Sequence, residues 1–171
     1  MSAALTSDYS MTVKNNSSVT FTLFHAAEGG GKPKTHSRPA NSLTPGATTV
    51  FAWDSTAGQV SSETCVGHMY YSPVQPGPPC VWGIQMEGYT PQGGRPKTKY
   101  QYADAANPYS KGEPGPPFWL ESGKGWGEDY EFVIPSMQVK IRVANDPHER
   151  EYESTGKPLY SVAVIVEDYH S

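Results

Sequence analysis

Apolar and polar positions alternate one for one in several stretches of the chain. From Met137 to Val143, the residues Met137, Val139, Ile141 and Val143 are separated by Gln138, Lys140 and Arg142, the period-two pattern of a strand with one buried and one wet face. In the run from Leu159 to Glu167 the segment Val162 to Val166 is apolar throughout, with Leu159, Ala163 and Ile165 expected on one face and Tyr160, Val162, Val164 and Val166 on the other. That pattern predicts a central strand covered on both sides. Nearer the N-terminus, Tyr9, Met11 and Val13 alternate with Ser10, Thr12 and Lys14, the turn residues Asn15 to Ser18 follow, and Val19, Phe21 and Leu23 then alternate with Thr20 and Thr22. The spacing predicts a hairpin.

The same reading gives a strand over Ala47 to Trp53 with Val50 on one side and Phe51 and Trp53 on the other. A less regular strand is expected over Val60 to Tyr71, stopped by Pro73, and Val81 to Glu87 sets Trp82, Ile84 and Met86 on one side. Tyr100 to Tyr102 is expected as a short edge strand, and Tyr130, Phe132 and Ile134 alternate with Glu131 and Val133. The 17 glycines and 16 prolines cluster between these runs. Glu28 to Asn41 is expected as a long exposed loop, Pro73 to Pro79 as a rigid connector, and Thr90 to Lys99, Asn107 to Pro117 and Ala144 to Pro158 as further loops. Such punctuation predicts an all-β fold: a single antiparallel β-sandwich of about eight strands over residues 1–171, with long Pro/Gly-rich loops and a minimum of helix.

Charge narrows the choice of partners. The 171 residues carry a formal charge of -4, and Lys and Arg are scattered, so neither a nucleic acid nor an anionic membrane meets a basic face. Met1 to Tyr9 lacks the apolar core of a secretory signal, and no apolar run approaches the roughly 20 residues of a membrane span. A cytoplasmic protein without a transmembrane segment is expected, or a secreted one if a signal has been removed. Cys65 and Cys80 do not make a disulfide framework, and reduced thiols are expected.

The aromatic residues of the loops are the leading candidate chemistry. Tyr89, Tyr109, Trp119, Trp126 and Tyr130 lie in or beside Gly/Pro-rich connectors, where a ring with an apolar face and a polar edge suits a sugar ring or a lipid headgroup. Trp126 leads, because Gly125 and Gly127 let another molecule approach the backbone. The bland reading is that these rings cap the ends of the sandwich. His25 with Glu28, and His36, His68, His148 and His170, are of the types that hold zinc or copper, but no His-x-His or His-x-Glu pair stands at a strand position, so no metal ligand is assigned. The acidic loop Asp146 to Glu153 lacks the regular spacing and turn glycine of a helix-loop-helix calcium site. There is no Gly-x-Ser-x-Gly elbow, Cys-x-x-Cys or phosphate-cradling loop, and no catalytic residue or cofactor is assigned.

Val13 to Leu23 with Asn15, Asn16, Ser17 and Ser18, followed by Thr44-Pro45-Gly46-Ala47 leading into a strand, resembles the start of the aegerolysins. The resemblance covers about a quarter of the chain. It implies a small acidic β-sandwich that binds membrane lipids, in some members with a pore-forming partner; the long Pro-rich loops depart from that pattern, and no binding residue is carried over. Together these features predict a non-enzymatic, lectin-like protein that recognises a carbohydrate or lipid headgroup through Trp126, Trp119, Tyr130, Tyr109 and Tyr89. Two alternatives stand beside it: a small cofactor-independent isomerase or cyclase using His and Glu or Asp in an inter-sheet pocket, and a structural protein that self-assembles into a homo-oligomer through an edge strand.

Overall fold

The computed structural model describes residues 7–29, 33–55, 64–74, 80–89, 97–103, 120–121, 129–145 and 159–170. Two six-stranded sheets pack face to face. Sheet I contains β1 (Ser7–Asn16), β3 (Pro33–Ser37), β5 (Thr48–Ser55), β10 (Tyr130–Ile134), β11 (Val139–Asn145) and β12 (Leu159–Asp168), in the spatial order β10-β11-β12-β1-β5-β3. Sheet II contains β2 (Phe21–Gly29), β4 (Ser42–Leu43), β6 (Thr64–Pro73), β7 (Val81–Tyr89), β8 (Lys97–Ala103) and β9 (Leu120–Glu121), in the order β4-β2-β6-β7-β8-β9. The expected β-sandwich is observed, with a single 3-10 turn, Pro135–Met137, as the helical element among the described residues. Among the described residues all pairings are antiparallel except one: β12 runs parallel to β1 at the centre of sheet I.

Alternation decides what lies between the sheets. Tyr9, Met11 and Val13 of β1, Phe51 and Trp53 of β5, Val139, Ile141 and Val143 of β11, and Val162, Val164 and Val166 of β12 face Met69 and Tyr71 of β6 and Trp82, Ile84 and Met86 of β7. Trp53 is wholly buried, stacks on Tyr9 with centroids 5.6 Å apart and lies 4.8 Å from the Phe51 ring. Each such pair contributes about 0.5–1.5 kcal/mol beyond the area it buries. Room for the indole comes from Gly67 across the interface, where an added Cβ would stand 2.4 Å from it. Val50 points outward, opposite to Phe51 and Trp53, as its alternation predicts.

Several expectations need correction. The predicted hairpin over Tyr9 to Leu23 does not form: β1 pairs with β12 and β5 in sheet I, whereas β2 belongs to sheet II. The intervening residues arch between the sheets around buried Asn15. Its Nδ2 donates to the Val19 and Leu43 carbonyls at 2.7 and 3.0 Å, and its Oδ1 accepts from the Ser17 N–H at 3.0 Å and the Ser17 hydroxyl at 2.5 Å. A local side-chain network thus replaces the hairpin ladder.

The expected loop Glu28 to Asn41 contains the end of β2 and all of β3, an edge strand on β5. Pro33 opens that strand, a position where its missing N–H costs no ladder bond. β8 extends the expected Tyr100–Tyr102 strand in both directions and lies inside its sheet, between β7 and β9. β12 is central as expected, but its outer face is not closed: Ala163 and Ile165 are half-buried, as are Lys140 and Glu167 beside them. The connection ahead of β5 is tied to sheet II by the Tyr71 hydroxyl, which donates to the Ala40 carbonyl at 2.8 Å while the Ala40 N–H donates to Thr49 Oγ1 at 2.7 Å. Burial pushes the Tyr71 hydroxyl up to about 12, with the Thr49 side chain pulling it back.

Candidate functional site

The two outer faces are built from different residues. On sheet I, Lys140 lies between Glu131 and Glu167 at 3.8 and 3.7 Å, and Arg142 meets Glu167 at 3.7 Å, with Glu131 and Arg142 exposed and Lys140 and Glu167 half-buried. On sheet II the outward residues form two rows across the strands. One row runs His25, Tyr70, Gly83, Gln101; the other runs Ala27, His68, Gln85, Lys99. Tyr70, Gln85 and Gln101 are at most 5 % exposed, although they lie outside the inter-sheet core. His25, His68 and Lys99 are half-buried.

Tyr70 lies flat over Gly83: a Cβ there would stand 2.3 Å from Tyr70 Cδ1. The absence of a side chain at Gly83 is therefore what admits the phenol. Above it the imidazoles of His25 and His68 approach to 5.3 Å between centroids, and His68 packs edge-on to Tyr70 at 5.5 Å. Gln101 Oε1 is buried and has no hydrogen-bond partner among the described residues. A buried acceptor left this way costs about 1–3 kcal/mol unless something donates to it.

A β-bulge brings His25 to this face. Phe21 and Leu23 point inward, and strict alternation would turn His25 inward as well. Between Leu23 and His25 the register with β6 shifts by one residue, Phe24 takes the extra position with half its surface exposed, and His25 emerges opposite Tyr70. The parity signal for His68 and Tyr70 was present in the sequence, since they alternate with the inward Met69 and Tyr71. The bulge was not, and the pairing of His25 with His68 was missed with it.

Of the predicted site residues, Trp126, Trp119 and Tyr109 lie outside the described residues. Tyr89 is the last residue of β7, with its backbone opposite Thr64. Tyr130 opens β10 and turns toward sheet II, with its ring 5.7 Å from that of Tyr100, which in turn stacks on Phe132 at 4.2 Å. Burial raises the Tyr130 hydroxyl well above the usual phenol range, partly offset by the Thr98 side chain beside it. Among the described residues His25 and His68 face outward from sheet II, while Glu28 accepts a hydrogen bond from the Thr35 hydroxyl across the sheets; His148 and the acidic loop lie outside the described residues. Cys80 carries a free thiol, and no cluster of three His, Cys, Asp or Glu forms among the described residues. Among the described residues no helix is long and apolar enough to cross a membrane.

Two antiparallel-rich sheets stacked on a core of alternating side chains, almost without helix, define a β-sandwich. Among solved structures, the chain is similar to the lipid-binding protein Nakanori, with a TM-score of 0.58 and 10% sequence identity, over 94% of this chain and 70% of that one. No family model matches the chain, and no curated protein matches it by sequence. The aegerolysin resemblance thus has no sequence-family counterpart. The residues that carry it, Asn15 to Ser18 and Thr44 to Ala47, build the arch between the sheets, with the Gly46 N–H donating to the Asn15 carbonyl at 2.6 Å.

Proposed function

We propose that this chain is a non-enzymatic binding protein that recognises a lipid headgroup. The observation that carries the reading is the shared architecture, over nearly the whole chain, with a structure described as a lipid-binding protein. The ring side chains of Trp126, Trp119, Tyr109 and Tyr89, in or beside Gly/Pro-rich connectors in sequence, are the contact residues of this proposal, suited to the boundary between a headgroup and an apolar layer. Tyr130 has a supporting part. Its packing on Tyr100 fixes the chain immediately after residues 122–128, the stretch that holds Trp126.

The test is binding of the purified chain to zwitterionic and anionic phospholipid vesicles and to a glycan array, repeated with Trp126→Ala. Retention on vesicles of one headgroup, lost in the variant at an unchanged melting temperature, is the expected result. Binding to glycans alone would replace the lipid with a sugar. A large fall in melting temperature would assign Trp126 to capping the sandwich, and the absence of binding to any of these surfaces would overturn the proposal.

A further inference from the structure

We propose that His25 and His68 form a binding site for a first-row transition-metal cation on the outer face of sheet II. The site does not depend on the lipid reading and stands or falls without it.

The two histidines sit diagonally across the β2–β6 pair, His25 opposite Tyr70 and His68 opposite Ala27. Diagonal neighbours on one face of an antiparallel pair are within reach of long side chains. Their ring centroids are 5.3 Å apart. A tetrahedral ion bound by one nitrogen of each of two imidazoles, at the usual metal–nitrogen length of about 2.0–2.1 Å, sets the ring centroids about 5 Å apart. The observed spacing is therefore already that of a two-histidine chelate. The rings are tilted by 30° to each other, and closing on an ion turns their nitrogens toward a common point.

The surroundings favour a held site over a chance surface pair. Tyr70, wholly buried, forms its floor, and Gly83 keeps that floor flat. Gln85 stands directly opposite His68 in the register and is 5 % exposed, and an amide is of the type that orients the second nitrogen of a ligating imidazole. Both histidines are half-buried, which leaves access for an ion and the open positions that two protein ligands require. Imidazole pairs select Zn²⁺, Cu²⁺ or Ni²⁺ over the hard cations Ca²⁺ and Mg²⁺. Lys99, two strands beyond His68 on the same row, is a neighbouring positive charge that weakens the site.

The full chain, stripped with chelator, is titrated with Zn²⁺ and with Cu²⁺ by calorimetry, alongside His25→Ala and His68→Ala. One equivalent is expected to bind, with at least a tenfold loss of affinity in either variant and no response to Ca²⁺. A second measurement leaves the protein unaltered: substoichiometric Cu²⁺ is added to the wild-type chain while the five histidine ring signals are followed by NMR. Broadening of the His25 and His68 signals first is the expected result, and it stands even if a variant fails to fold. Broadening centred on His36, His148 or His170 overturns the proposal, as do wild-type affinity in both variants and the absence of any binding.

Discussion

The outer faces of the two sheets share a strand geometry and differ in what they hold. Sheet I presents Lys140, Arg142, Glu131 and Glu167, whose long side chains remain in water. Sheet II sequesters an aromatic ring and two amides on the side away from the core, with two imidazoles at the margin. The difference teaches that position on a strand fixes the direction of a side chain, whereas its surroundings decide whether that direction means solvent. Polar residues buried on an outer face cost stability, and proteins keep such residues where binding repays the cost.

Substitutions that separate the faces rank in a definite order. Gly67→Ala sets a carbon 2.4 Å from the Trp53 indole inside the closed core and is expected to cost about 3 kcal/mol by urea unfolding. Gly83→Ala makes an equally close approach to Tyr70 on the outer face, and because the imidazoles that pack on that ring are only half-buried and can give way, about 1–2 kcal/mol is expected, with changed Tyr70 ring signals in NMR. An equal cost at the two sites would mean that the outer face of sheet II is as tightly packed as the core.

Gln101→Met removes a buried acceptor with no partner among the described residues, at similar volume, and a gain of up to about 1 kcal/mol is expected in the free energy of unfolding. A loss would show that Oε1 is satisfied in solution. Asp168 accepts from the Ser18 N–H and hydroxyl at 2.8 and 2.9 Å, which holds its carboxyl below the usual range. A lowered carboxylate pKa contributes stability above the unfolded value and loses it as pH falls through the folded value. Asp168→Asn should therefore matter at neutral pH, by less than about 1 kcal/mol for so exposed a group, and not at the acid end of a pH series of melting temperatures. Glu167→Gln on the outer face of sheet I is expected to cost under about 0.5 kcal/mol and to be silent in high salt.

The core was legible because alternation reports on facing. Trp82, Ile84 and Met86 share one side, and Val50 opposes Phe51 and Trp53, as their order in the chain dictates. Pairing was less legible. Tyr9 to Val13 and Val19 to Leu23 look like hairpin arms, yet each arm could serve any sheet with an apolar side to fill, and Asn15 resolved the choice through its contacts to Val19 and Leu43. The histidine pair depended on a one-residue irregularity at Phe24, whose effect on everything downstream in β2 has no signature in composition or period. The loop aromatics were named from their glycine and proline neighbours; of these, Tyr130 is seen to lean inward on Tyr100.

The parallel union of β1 with β12 has a consequence for how the molecule comes into being. Ser7 to Asn16 leave the ribosome well before the neighbour they need on one side, Leu159 to Asp168, which is made some 150 residues later. Until then the middle of sheet I is a gap, with β1 lined up against β5 alone on one side and the β10–β11 ribbon unattached on the other. Closure by so distant a partner is slow, and a nascent chain that pauses before residue 159 exposes a bare strand edge where the finished protein has its most sheltered seam.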